Sequence, residues 1–372
     1  MKKPNFKPKF YSLDNILATN SHYNLIIGER SNGKTYACLE YGLKNYFNKN
    51  KEQFAIVRRW QDDFRGKRGA TMFDAHVQNG VIKNLSNGKW DSVYYYSGRW
   101  YLSKFDKETE KRIIDTEPFA YAFSISSMEH DKSTSYPMVT TIIFDEFLTR
   151  GMYINDEFVS FMNVVSTIVR HRTNIKIFML GNTVNMYSPY FSEMGLTHIK
   201  DMKQGTIDTY TYGDSDLRVA VEYCSTNNKE GKPSDVYFAF DNPKLNMITG
   251  GAWELDIYPH LPTKYLPKEV LYVYYIKFDD ELLQCEIIKH DDVLFTFIHR
   301  KTTPIKDEKK SLIYTTEYSP RYNWRRQINK PVDKLGEKIF KFYTTDKVFY
   351  QDNEVGEVVR NYLVWCGFVL KK

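Results

Sequence analysis

The chain has 372 residues, 42% hydrophobic and 16% aromatic, enough apolar material for the core of one large or two ordinary domains. Its net charge of +6 is a small difference between 52 basic and 46 acidic residues, which permits a polyanionic partner without requiring one. Four scattered cysteines, Cys38, Cys224, Cys285 and Cys366, form no C-x-x-C pair and argue against a disulfide framework or a zinc site. No run approaches the roughly 18 to 20 apolar residues of a membrane span, and MKKPNFKPKF lacks the apolar core of a signal peptide, so reduced, cytoplasmic chemistry is expected.

The first two hundred residues alternate short apolar runs with helix-like segments, the pattern of a parallel sheet built from β-α units and covered on both faces. Strands are predicted at residues 23–27, 54–58, 140–144 and 175–180. Between the second and third lies WDSVYYYSGRWYLSKFD, where a Ser-Gly turn joins two aromatic-rich runs as a β-hairpin on the sheet. Its tyrosines read first as packing and second as base-stacking groups.

From residue 201 to about 267 the composition shifts to Gly, Pro, Asn, Ser and Asp without helical period, which reads as a linker or small subdomain. Residues 270–278 and 282–288 then flank Asp279-Asp280-Glu281, and a further run covers 293–299, predicting a β-meander. A basic loop and a final helix at 355–365 follow. The expected division is a first domain at 1–200, a linker at 201–268 and a second domain at 269–372.

Residues 28–35, GERSNGKT, form an unbroken G-x-x-x-x-G-K-[ST] directly after the first apolar run and directly before a helix-like segment. Gly28 and Gly33 let the backbone wrap closely, so that Glu29, Arg30, Ser31 and Asn32 can turn their N–H groups onto phosphate oxygens at a helix N-terminus. Lys34 is placed to reach the β- and γ-phosphates of ATP, and Thr35 to offer a hydroxyl to Mg²⁺.

The run TTIIFDE ends a predicted buried strand in two adjacent acids. A parallel strand delivers its last residues to the carboxyl edge of the sheet, where nucleotide sits. Asp145 is expected to hold Mg²⁺ and Glu146 to accept a proton from the attacking water, which favours ATP hydrolysis over binding alone.

In VVSTIVRHRTNIKIFMLGN, Arg170 and Arg172 end a helix-like segment, and Asn182 follows the next strand, placed to sense the γ-phosphate or the lytic water. Two readings of the arginines stand side by side: an arginine supplied to a neighbouring subunit's nucleotide, or a helix C-terminus stabilised by positive charge.

These segments, NLIIGERSNGKTYA, FAIVRRW, SYPMVTTIIFDEF and VSTIVRHRTNIKIFMLGNTVNMYSPYF, resemble in order and separation the DNA-packaging ATPases of small tailed bacteriophages of the phi29-like kind. The resemblance implies a ring motor, a pentamer, that threads double-stranded DNA into a procapsid at its portal, working in the host cytoplasm and transiently on the procapsid. It implies that Arg170 acts in trans, that Lys132 lies near the subunit interface and channel, and that Arg58 and Arg59 touch nucleotide or DNA or brace the loop. The implied fold is an α/β P-loop domain of the additional-strand, catalytic-glutamate class, with a β-rich, RNase H-like second domain that is nuclease-inactive.

Two-metal cleavage needs several converging carboxylates, and Asp279 and Asp280 fall instead where turn chemistry explains them. The rival readings are a terminase-like ATPase with an active C-terminal nuclease, a nucleotide-regulated binding module and, with no lid signature behind it, a P-loop kinase. In RYNWRRQINK, Arg321, Arg325, Arg326 and Lys330 alternate with Tyr322 and Trp324, a composition that suits nucleic acid as well as a solvated loop. The four lysines among the first nine residues read as a solvated arm.

Overall fold

A computed structural model describes residues 11–130, 134–225, 253–254 and 256–368, and divides the chain into two compact units, Met1–Trp253 and Glu254–Lys372. Lys132 and the N-terminal lysines lie outside the described residues.

The first unit is built on nine strands: β1 (Tyr23–Gly28), β2 (Gln53–Arg58), β3 (Ser92–Tyr96), β4 (Arg99–Asp106), β5 (Lys111–Ser124), β6 (Val139–Asp145), β7 (Lys176–Asn182), β8 (Thr206–Thr211) and β9 (Arg218–Tyr223). Their order is β3-β4-β5-β2-β6-β7-β1-β9-β8. The strands from β5 to β9 in this order pair in parallel, while the β3–β4 hairpin and β8 add antiparallel edges.

The parallel strands are apolar on successive residues because both faces are covered. Leu25 and Ile27 of β1 and Ile142 and Phe144 of β6 join one buried cluster, together with Phe161 and Ile168 of the helix Glu157–Val169. Ile26 and Ile143 point the other way, into a cluster with Leu39 and Leu43 of the helix Lys34–Asn48. A side-chain period of two thus anchors a helix to each side of the same strands. Each such side chain, fully buried, contributes about 1.5 to 3 kcal/mol.

Two differences from the sequence reading have physical causes. Residues 206–223, expected in the linker, form β8 and β9 of the first sheet, and β9 pairs β1 from Tyr23↔Val219 to Ile27↔Tyr223. The first unit therefore runs past the expected limit at residue 200. β5, not foreseen, carries Pro118 opposite Tyr101 between two irregularities of the ladder, the kind of place where a residue without an N–H is tolerated.

The second unit holds β10 (Val270–Phe278), β11 (Glu281–His290), β12 (Val293–Arg300), β13 (Ile313–Thr315), β14 (Trp324–Arg325) and β15 (Val348–Tyr350) in the order β14-β13-β10-β11-β12-β15. The β10-β11-β12 meander is antiparallel as expected, with Asp279 at its first turn in the left-handed region at φ 57°. The outer strands are short and pair in parallel. What was read as a basic loop contains a further helix, Lys334–Thr344, whose first turn is capped by Asp333 accepting the Gly336 N–H at 2.7 Å. The final helix is Asn353–Trp365.

Candidate nucleotide site

Gly28 ends β1, and the chain turns through residues 29–33 into the helix that begins at Lys34. Gly33 sits at φ 94°, a conformation that strains any residue with a Cβ. At Gly28 the constraint is contact: a Cβ there would lie 2.8 Å from the Cβ of Cys224, just past β9. The turn is thus fixed both by its own backbone and by the strand that packs beneath it.

Lys34 is buried, with its Nζ donating to the Glu29 carbonyl at 2.6 Å, the Gly28 carbonyl at 3.3 Å and Asn182 Oδ1 at 3.3 Å. Burial pulls its pKa down, against the opposing influence of Cys224, Asp145 and Glu29. All three of these acceptors are neutral oxygens, so none of them neutralises the ammonium, and it can attract an incoming anion. Asn32 Oδ1 accepts the Lys34 N–H at 3.2 Å and holds the loop to the helix start.

The acids arrive from β6. Asp145, its last residue, is buried and accepts the Thr35 hydroxyl at 3.0 Å. Glu146 follows at φ 64°, a left-handed conformation of the sort strained residues adopt at functional sites, with its side chain 62% exposed. β7 lies between β1 and β6, and Asn182 at its end is level with Gly28.

Residues 30–36, Asp145, Glu146 and residues 180–182 line one cleft of about 360 Å³. Sequence reasoning named Arg30, Ser31, Asn32, Gly33, Lys34, Thr35, Asp145, Glu146 and Asn182 in it, and missed Tyr36, Leu180 and Gly181. Gly28 and Glu29 contribute through their carbonyls to Lys34 and are not among the lining residues.

The adjacent arginines at the end of β2 divide their labour. Val57 is level with Phe144, which sets Arg58 beside the acids: its Nη2 donates to Asp145 Oδ2 and its Nη1 to Glu146 Oε2 at 3.5 Å. Arg59 is buried, with Nε and Nη2 on the two oxygens of Glu157 at 2.8 and 2.9 Å and further bonds to the Glu146 and Phe147 carbonyls at 3.3 and 2.8 Å. Glu157 also accepts the Tyr190 hydroxyl at 2.9 Å and the Ile154 N–H at 2.8 Å. Arg58 touches both acids, and Arg59 braces the turn behind them.

Arg172 takes the structural reading. It donates to the carbonyls of Tyr136, Pro137, Val139, Ile168 and Val169 and so ties the end of a helix to the start of β6. Arg170 is exposed, at φ 41°, with one side-chain bond to the Thr134 carbonyl at 2.9 Å; it does not line the cleft of its own chain.

A glycine-lysine loop between a parallel strand and a helix, beside paired acids on a strand one removed, defines a mixed α/β fold of the P-loop class. The model of the podovirus DNA encapsidation protein (Gp16) family matches residues 98–208. The chain is 32% identical over 184 residues to the DNA packaging protein of Bacillus phage B103, covering 49% of this chain and 50% of that protein. It is 30% identical over 188 residues to the DNA packaging protein of Bacillus phage phi29, covering 50% of each.

The chain thus spans about half the length of the curated relatives it matches. Among solved structures, the bacteriophage Phi-29 viral genome packaging motor assembly superposes with a TM-score of 0.57 at 19% identity, over 95% of this chain and 96% of that one. The Phi-28 gp11 DNA packaging motor does so with a TM-score of 0.55 at 18% identity, over 98% and 100%. These two likenesses show a shared fold, and the sequence matches support the resemblance to phi29-like DNA packaging proteins.

Among the described residues no helix is long and apolar enough to cross a membrane, and the four cysteines are buried and unpaired with one another.

Proposed function

We propose that this chain is an ATP-hydrolysing subunit of a ring motor that drives double-stranded DNA into a viral procapsid. The observation that carries the reading is the meeting of loop and acids: Lys34, Thr35, Asp145 and Glu146 line one cleft, with Thr35 and Asp145 3.0 Å apart. The loop N–H groups and Lys34 bind the phosphates. Thr35 and Asp145 supply the hard oxygen donors suited to Mg²⁺, which when bound neutralises charge on the β- and γ-phosphate oxygens. Glu146, at the open mouth of the cleft, orients the attacking water and takes its proton, and Asn182 senses the γ-phosphate from beside Lys34.

Arg170 completes a neighbour's site. Its exposure and its absence from its own cleft support action in trans. Such an arginine raises turnover by about 10³ to 10⁵. The portal of the procapsid and a pentameric ring are part of this reading through the resemblance alone. DNA is held by phosphate contacts, since packaging ignores sequence, so affinity falls steeply with added salt.

The second unit we read as RNase H-like and without nuclease activity. Its antiparallel meander with short parallel strands at the edges supports the first half. The second half is supported by its acids, of which Glu286, Asp333 and Glu357 are spent on local hydrogen bonds and ion pairs. Incubation of plasmid with the protein and Mn²⁺ tests this, and cutting favours the terminase-like alternative.

The ring reading is tested by mixing Lys34→Ala subunits with Arg170→Ala subunits. Each alone is inactive, and shared sites restore part of the turnover in the mixture. No recovery at any ratio, with assembly confirmed, rules the shared site out.

A further inference from the structure

On the second unit, residues 301–341 carry eleven lysines and arginines against five acids, a surplus of six that equals the net charge of the whole chain. The same stretch holds Tyr318 and Tyr322, 85% and 84% exposed, the most exposed of the large hydrophobic side chains among the described residues. Neither ring contributes to the core.

The cations here lie on rings. The guanidinium carbon of Arg326 is 3.7 Å from the centroid of the Tyr318 ring and 5.0 Å from that of Trp365, and Arg321 is 5.6 Å from that of Trp324. Arg326 donates to the Thr316 carbonyl, a neutral oxygen, at 3.1 Å, and among the described residues no carboxylate is hydrogen-bonded to it. The nearby acids already have cations: Glu317 pairs with Lys277 at 2.7 Å, Glu308 with Arg321 at 3.7 Å and Asp333 with Arg325 at 2.6 Å. What remains is a face with surplus positive charge and open π surfaces.

We propose that this face binds single-stranded nucleic acid, with unpaired bases stacked on Tyr318 and Tyr322 and phosphates drawn to Arg321 and Arg326. Every base has a π face, so stacking on tyrosine or on a ring-backed guanidinium is indifferent to sequence. A duplex cannot use such rings, because its base faces are already stacked on one another. The site belongs to the other unit from the nucleotide cleft and goes beyond the motor reading: it requires no ATP hydrolysis.

The test uses the full chain without nucleotide and three labelled probes of equal length: oligouridylate RNA, oligothymidylate DNA and a DNA duplex, read by fluorescence anisotropy. The expected result is binding of a single strand that depends on the two rings, with duplex binding that does not. The Tyr318→Ala/Tyr322→Ala double variant should weaken single-strand binding on the order of ten- to a hundredfold while leaving the duplex unchanged. Tyr318→Phe/Tyr322→Phe keeps the rings and should keep the affinity. The stronger of the RNA and DNA arms identifies the source of the strand. A double alanine variant that folds, by an unchanged thermal midpoint, and binds single strands like the wild type overturns the proposal.

Discussion

Both units carry carboxylates in polar surroundings, yet their partners differ in kind. In the first unit Asp145 meets a threonine hydroxyl and Arg58, and Glu146 stands 62% exposed at the cleft mouth beside the same arginine. In the second unit Glu286 accepts from the Tyr265 hydroxyl at 2.7 Å, from Gln284 at 2.6 Å and from His299 at 3.3 Å. Glu357 accepts the Tyr258 hydroxyl at 2.7 Å and pairs with Arg360 at 3.6 Å. A carboxylate offers about four lone-pair positions. Where packed rings and neighbouring strands occupy them the acid is masonry, and where a hydroxyl and a single arginine occupy them it can exchange the arginine for a metal ion or a water.

The largest effect that sharpens this contrast is on turnover. Glu146→Gln should lower phosphate release by about 10² to 10⁴ while a non-hydrolysable nucleotide still binds, the size of a lost general base. Glu286→Gln should leave turnover at the wild-type level. Equal losses in both variants would erase the distinction between the two kinds of acid.

The arginines at the end of β2 give the next effect. Arg59→Ala strands the buried Glu157 and should cost about 3 to 5 kcal/mol of stability, with no recovery on adding nucleotide and Mg²⁺. Arg58→Ala should lower the thermal midpoint less, and nucleotide with Mg²⁺ should remove the difference from wild type, because Asp145 would then have the cation as its partner in both proteins. A deficit in Arg58→Ala that persists with ligand would place Arg58 with the structural partners.

The smallest effect concerns pH. The bond to His299 comes first among the causes that pull the Glu286 carboxyl from 4.5 down to about 2, and the same bond raises His299 above its ordinary 6.5. Glu286 therefore stabilises the fold above pH 4.5 and loses this as pH falls toward 2. His299 stabilises it below pH 6.5 and loses this as pH rises through its raised value. The pair contributes fully between pH 4.5 and 6.5, by about 1 kcal/mol. His299→Gln should flatten the alkaline side of a plot of thermal midpoint against pH, and an unchanged slope would remove the pair from the account.

The loop, its helix and the acid strand were legible because each is encoded in contiguous residues: glycine spacing, a lysine and a hydroxyl, an apolar run ending in two acids. The role of Arg58 was not, since it depends on β2 lying next to β6, a matter of strand order across eighty intervening residues. β9 escaped for a similar reason. Its six residues sit among turn-forming neighbours, its partner β1 is far upstream, and its one acid, Glu222, is accommodated by the Tyr11 hydroxyl at 2.6 Å. The helix Lys334–Thr344 was readable in principle, with Asp333 as cap and buried Ile339 and Tyr343 four apart, but Gly336 and the surrounding lysines resemble a loop.

The brace formed by Arg59 has a mechanical corollary. One guanidinium grips the turn that bears Glu146 and also the first residue of the helix Glu157–Val169, whose far end is Arg170. Thirteen residues at a rise of 1.5 Å make a rod of about 20 Å. In the proposed ring, a tilt of the acid-bearing turn in one subunit would be carried down that rod to the arginine offered to the next, so that successive firing around the circle requires no wire other than a single stiff helix.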